Sequence, residues 1–126
     1  MNPTPIHSTR RWLIVDDNAP LAGLLTLTLA DLGLARVEGV TSPAEACERA
    51  HDGALDLIIT DRDMPGCDGL ELARRLHAEH PAAKIVLISA HTDDLSASVL
   101  DRAGVCAVLQ KPFSLTRLEA LARALA

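Results

Sequence analysis

Aromatic side chains are almost missing: the 126 residues hold one Trp, one Phe and no Tyr. Little is left for stacking nucleotide bases. Basic residues are outnumbered 12 to 17 by acidic ones, for a formal net charge of −5. No basic patch is visible, so the electrostatic footprint of a nucleic-acid binder is lacking. Neither G-x-G-x-x-G nor G-x-x-x-x-G-K occurs, so nucleotide binding lacks its phosphate loop. The cysteines, Cys47, Cys67 and Cys106, are odd in number and form no C-x-x-C. They read as reduced thiols of a cytosolic protein, used as small hydrophobes. The longest uncharged, apolar-rich stretch near the N-terminus, Asn18 to Ala30, falls short of the about 20 residues of a membrane span. Arg10-Arg11 does not open an export signal, because Asp16 and Asp17 interrupt the segment that would have to be hydrophobic.

What remains is an aliphatic chain, 48% hydrophobic and 23% charged, which is the composition of one globular domain. Residues 1–11 read as a loose lead-in and 12–126 as the domain. Short apolar runs then alternate with helical patterns. Trp12 to Val15 is a first strand. Pro20 to Leu32 is a helix, although Leu25-Thr-Leu-Thr-Leu29 alternates like a strand; Asn18 as a cap and Gly33 as a stop favour the helix. Ala35 to Val40 is a second strand. Ser42-Pro43-Ala44-Glu45 is a capping box that opens a helix to about His51. Leu55 to Thr60, Lys84 to Ser89 and Val105 to Leu109 are further strands. Gly69 to His80, Asp93 to Ala103 and a segment capped by Ser114 are helices. Strands that are apolar without interruption are buried on both faces, which predicts a parallel sheet flanked by helices in a doubly wound α/β sandwich.

Ligands of such sheets bind beyond the carboxyl ends of the strands. Those ends carry Asp16 and Asp17 after the first strand, Asp61 and Asp63 after the third, and Ser89 after the fourth; Lys111, one of only two lysines, follows the fifth. Carboxylates gathered at one mouth repel unless a cation neutralises them. All-oxygen ligation suits Mg²⁺ or Mn²⁺. His77-x-x-His80 lacks a third ligand and reads as a solvated helix end.

Val15-Asp16-Asp17, the run Asp61-Arg-Asp-Met64-Pro65-Gly-Cys-Asp68-Gly69, Ser89-Ala90 and Lys111-Pro112-Phe113 together resemble bacterial two-component response-regulator receiver domains of the chemotaxis-regulator type, from about Trp12 to Ala126. The resemblance implies a flavodoxin-like five-stranded sheet with five helices and strand order 2-1-3-4-5. It implies that Asp61 is the phosphoacceptor, taking a phosphoryl group from a sensor histidine kinase or histidine phosphotransfer protein. Asp17, Asp61 and the backbone carbonyl of Asp63 would ligate Mg²⁺, with Asp16 acting directly or through water. Lys111 would pair with the phosphoryl oxygens, Ser89 would hydrogen-bond to them, and Lys111-Pro112 would be cis. The implied protein is a cytoplasmic signalling domain, not a turnover enzyme. It would have no output domain in this chain, no nucleic-acid or membrane contact, an unidentified downstream protein target, and a monomeric or weakly dimeric state. The alternatives are a small Mg²⁺-dependent phosphohydrolase and a degenerate receiver that only binds proteins; the intact acidic, hydroxyl and lysine positions argue against the latter.

Two features depart from the pattern. Val108 stands where the family usually has an aromatic residue on the fifth strand, which removes the usual aromatic switch. The first helix has no charge on its outer side, and Ala19, Gly23, Thr26, Leu27 and Ala30 are predicted to form a docking face for a partner helix. Gly69 is expected to supply a positive φ, and Asp63 and His91 are expected to flank the path of water to the phosphoryl group, either orienting that water or pairing with each other.

Overall fold

The computed structural model describes residues 9–126. Twelve elements follow in order: β1 (Arg11–Val15), α1 (Ala19–Ala30), β2 (Arg36–Val40), α2 (Pro43–Ala50), β3 (Leu57–Asp61), β4 (Asp63–Met64), β5 (Cys67–Asp68), α3 (Gly69–Glu79), β6 (Lys84–Ser89), α4 (Ala97–Arg102), β7 (Val105–Gln110) and α5 (Leu115–Leu125). The five long strands form one sheet in the order β2-β1-β3-β6-β7, and every pairing in it is parallel. Counting only long strands, this is the 2-1-3-4-5 order implied by the resemblance. The short β4 and β5 pair antiparallel as a separate ribbon.

The apolar runs are continuous because each strand serves two cores. Leu13, Val15, Ile58, Ile85 and Leu87 face one side, with Ala46, Leu72, Ala73 and Leu76 of α2 and α3. Trp12, Ile14, Leu57, Ile59, Val86 and Ile88 face the other, with Leu25, Leu29, Leu118 and Ala122 of α1 and α5. Each fully buried aliphatic side chain of this kind contributes about 1.5–3 kcal/mol. Arg11 closes the far edge: its guanidinium donates to the carbonyls of Arg49 and Gly53 where α2 ends and pairs with Glu38 at 2.8 Å.

Side chains cap the helices. Asn18 accepts from the Leu21 amide at 3.1 Å, Ser42 from Glu45 at 3.1 Å and Ser114 from Arg117 at 3.1 Å. The alternating Leu-Thr run is helical, as expected, and its threonines adapt: the Thr26 and Thr28 hydroxyls donate to the carbonyls of Ala22 and Leu24, each at 2.7 Å, the back-bonding that lets threonine sit inside a helix.

Most element ends fall within two residues of expectation, and three departures are larger or of another kind. Residues 1–8 of the expected lead-in lie outside the described residues, and Arg11 already belongs to β1. The helix expected from Asp93 starts at Ala97, because Ser96 provides the cap and the chain before it is turned by a bond from the Leu95 amide to the Thr92 carbonyl. The ribbon of β4 and β5 has strands too short to leave a periodic signal. Among the described residues no helix is long and apolar enough to cross a membrane.

Candidate phosphoryl-transfer site

The carboxyl ends of β1, β3, β6 and β7 bring the predicted residues to one mouth. Asp16 follows β1 and is buried, as is Asp61 at the end of β3, while Asp17 is exposed. One carboxylate oxygen from each of the three lies within 4.8 Å of the others. Lys111 reaches in from the end of β7, its Nζ 2.8 Å from Asp61 Oδ1. The Lys111-Pro112 bond is cis, as the resemblance implies.

The electrostatics of this mouth are unbalanced. Asp16 Oδ1 accepts from the Asn18 amide at 2.9 Å, but its Oδ2 is buried with no hydrogen-bond partner. Burial raises the Asp16 carboxyl above the usual aspartate range, the Asn18 amide opposes the rise, and the charge of Asp61 adds to it. At Lys111, burial by itself favours the neutral amine; the contact with Asp61 and the fields of Asp16 and Asp63 outweigh it and hold the ammonium above the ordinary lysine range. Three carboxylates, one with an unpartnered buried oxygen, and a single ammonium leave negative charge to be neutralised. A hard divalent cation with oxygen ligands fits that donor set.

Ser89, at the end of β6, is fully buried. Its hydroxyl donates to the His91 carbonyl at 2.5 Å and accepts from the His91 amide at 3.2 Å. Asp63 and His91 are exposed and line one opening, but among the described residues no ion pair joins them. The paired form of the expected flanking arrangement is therefore not adopted.

Gly69 has a different role from the one its sequence position suggests. Its φ is not positive; the left-handed residue in this loop is Gly66, at φ 73°. Gly69 starts α3 directly against the end of β3, where a Cβ would fall 2.1 Å from the Asp61 carbonyl oxygen and 2.7 Å from Arg62 Cα. Both obstacles are backbone and cannot rotate away. Gly69→Ala is expected to lower stability by about 1–3 kcal/mol and to displace Asp61. Thermal melting and Mg²⁺ titration of the variant check both; a variant with wild-type melting and metal response would disprove the close-packing argument.

The sequence reading passed over Arg62 and Asp94. Arg62 follows Asp61, and its backbone is tied to both neighbours: its amide donates to Ile88 and its carbonyl accepts from Gly69, each at 2.8 Å. The guanidinium forks onto Asp94, with Nη1 2.8 Å from Oδ1 and Nη2 on Oδ2. It also approaches Asp68 Oδ1, at 3.5 Å from Nε. The Arg62 hydrogen bond holds the Asp94 carboxyl down to about 2, and the same bond raises Arg62 further above its ordinary range. Each partner thus favours the charged form of the other. The only sequence signal was an arginine adjacent to the strand-end Asp61.

Val108 is half-buried and sits beside Leu87 in the sheet, packed against the core on the α3 and α4 side. The expected α1 face is only partly formed. Ala19, Gly23 and Leu27 are exposed, Leu27 at 67%, and Ala30 is half-buried. Thr26 instead turns toward β2, so that a Cβ on Gly39 would lie 2.3 Å from its hydroxyl. The apolar surface next to the mouth is elsewhere: Leu21, Leu24, Phe113 and Leu115 line one depression with Lys111 and Pro112.

A parallel α/β sheet whose strands gather a carboxylate cluster and one lysine at their carboxyl ends defines a class of small acidic-site domains. The chain belongs within that class to the response regulator receiver domain family, whose pattern matches residues 12–123. It is 38% identical over 109 residues to a response regulator receiver protein of Anaeromyxobacter sp. (strain Fw109-5), covering 86% of this chain and 45% of that protein. It is 31% identical over 108 residues to the DNA-binding transcriptional regulator NtrC of Escherichia coli K12, covering 86% of this chain and 23% of that one. The chain thus spans less than half the length of either relative. In fold it is similar to the chemotaxis response regulator CheY4 of Vibrio cholerae, with TM-score 0.82, 24% identity and coverage of 94% and 100% of the two chains. It is also similar to the response regulator TrrA of Thermotoga maritima, solved in complex with Mg²⁺ and BeF, with TM-score 0.80, 28% identity and coverage of 93% and 99%.

Proposed function

We propose that this domain accepts a phosphoryl group on Asp61 from a phosphohistidine of a sensor histidine kinase or histidine phosphotransfer protein, and signals through the resulting change at its surface. The observation that carries the reading is the company one carboxylate keeps: Lys111 touches Asp61 at 2.8 Å, and an oxygen each from Asp16 and Asp17 lies within 4.8 Å of an Asp61 oxygen.

In the transfer, an Asp61 carboxylate oxygen attacks phosphorus, the phosphorus–nitrogen bond breaks, and its electron pair returns to the imidazole, leaving an acyl phosphate. Such a reaction needs in-line positioning and neutralisation of oxygen charge more than covalent chemistry from the protein. Mg²⁺ (or Mn²⁺), held by Asp17, Asp61 and the Asp63 carbonyl with Asp16 directly or through water, would supply part of that neutralisation. Lys111 supplies the rest as a compact cation. Ser89 donates its hydroxyl hydrogen to a phosphoryl oxygen once it has left His91. The depression formed by Leu21, Leu24, Phe113 and Leu115 borders Lys111 and suits the apolar flank of a histidine-bearing helix. This relocates the docking surface from the outer face of α1 to the groove between α1 and the start of α5. The setting is cytoplasmic, the domain a monomer or weak dimer, and the role that of a switch rather than a turnover enzyme.

Acetyl phosphate with Mg²⁺ tests the reading. Intact-protein mass spectrometry should show one phosphoryl group per chain. Steady turnover of generic phosphomonoesters, with no accumulated phosphoprotein, would replace the receiver reading with a phosphohydrolase.

A further inference from the structure

Ser89 has one hydroxyl hydrogen, and in this structure it is already committed: it points to the His91 carbonyl at 2.5 Å. A hydroxyl cannot donate to that carbonyl and to a phosphoryl oxygen at once. What fixes the carbonyl therefore decides when Ser89 is free. The His91 carbonyl also accepts from Arg62 Nη1 at 3.2 Å, and the same guanidinium forks onto Asp94, three residues further along the loop. The loop after β6 is thus pinned at two points to the residue that follows Asp61. A planar fork engaging a carboxylate with two nitrogens fixes direction as well as distance.

We propose that Arg62 is a positioning residue for Ser89: clamped by Asp94, it holds the His91 carbonyl where it captures the Ser89 hydroxyl, and so biases the unphosphorylated domain toward its resting arrangement. The inference rests on the reading of Asp61 as phosphoacceptor and Ser89 as a donor to the phosphoryl group. A ligand that needs Ser89 released binds to the fraction of molecules in which it is released, so loosening the latch raises that fraction and the apparent affinity together. Asp94 is exposed, so its replacement leaves the core intact.

The experiment compares wild type, Asp94→Ala, Arg62→Ala, Arg62→Lys and the double alanine variant. Each is labelled with acetyl phosphate and Mg²⁺, and each is followed by amide chemical shifts with and without beryllofluoride as a phosphoryl mimic. Asp94→Ala should label about threefold to fivefold faster, the population shift that an exposed but bidentate pair supplies. In the absence of any mimic, its Ser89 to Leu95 amides should already be displaced part of the way toward the beryllofluoride positions. Arg62→Lys keeps the charge but loses the fork, and should behave like Asp94→Ala; the double variant should add nothing further. Equal or slower labelling in Asp94→Ala, with resting shifts unmoved, would overturn the latch. The underlying reading fails differently: the wild type itself would not label, and its Ser89 amide would not respond to beryllofluoride.

Discussion

Asp61→Asn is expected to leave the protein folded and take no phosphoryl group at all. The variant keeps the shape of the side chain and removes the nucleophile, since an amide oxygen does not attack phosphorus under these conditions. It also removes the anion that faces Lys111 at 2.8 Å. Loss of a nucleophile in sites of this kind costs roughly a thousandfold or more in rate, so mass spectrometry after acetyl phosphate treatment should show the wild type labelled and the variant unmodified. Folding should survive, because the substitution reduces repulsion among Asp16, Asp17 and position 61. Labelling of the variant to the wild-type level would remove Asp61 from its assigned role and point to another carboxylate at the mouth.

Asp16→Asn should reverse the order of stabilities according to whether metal is present. Without metal, Asp16 holds a buried oxygen that has no partner, close to two other carboxylates. An uncompensated buried polar group costs about 1–3 kcal/mol. The amide keeps an acceptor for the Asn18 amide and offers donors to its anionic neighbours, so the metal-free variant should melt about 3–5 °C higher than wild type. With Mg²⁺ at about 100 times its Kd, the wild type gains about 2.7 kcal/mol, and the variant, short of one ligand charge, should gain far less. The curves therefore cross. The pH dependence has a definite sign. The folded carboxyl of Asp16 is raised by burial, so the cost of its charge is absent below the unfolded aspartate range and grows as pH rises through the folded value. The metal-free advantage of the variant should fade on acidification toward pH 4. A variant that melts lower than wild type at neutral pH without metal would show that Asp16 is satisfied in a way its geometry does not suggest.

The parts of this molecule that were readable before its structure are those governed by periodicity and strand ends. Ile85 to Ile88 and Trp12 to Val15 announced buried parallel strands because both faces of the sheet are covered, and topology then carried Lys111 to Asp61 although they are fifty positions apart in sequence. Helix caps were legible because Ser42 and Ser114 act locally. What escaped depended on single contacts between loops. Arg62 meets Asp94 only after the crossover through α3 has placed β3 beside β6, and no spacing rule connects them. Gly69 was read for its freedom at φ, whereas its position is dictated by the lack of a Cβ against the Asp61 carbonyl, a constraint visible only once α3 is packed. The tilt of α1 was equally hidden: an uncharged helix gives no polar stripe from which to tell its outer side, and Thr26 therefore passed for a surface residue.

Trp12 provides a practical consequence. It is the sole tryptophan, almost entirely buried, and lies near the amino end of β1, beside Arg10, Lys84 and Leu125. Four residue steps of extended chain, about 13 Å, separate it from Asp16. Its emission will follow the collapse or loss of the core on the α1 and α5 side while staying blind to events among the carboxylates. The chain thus carries a built-in optical gauge of global unfolding set apart from the carboxylates, and melting curves recorded through it are expected to report the stability of that core.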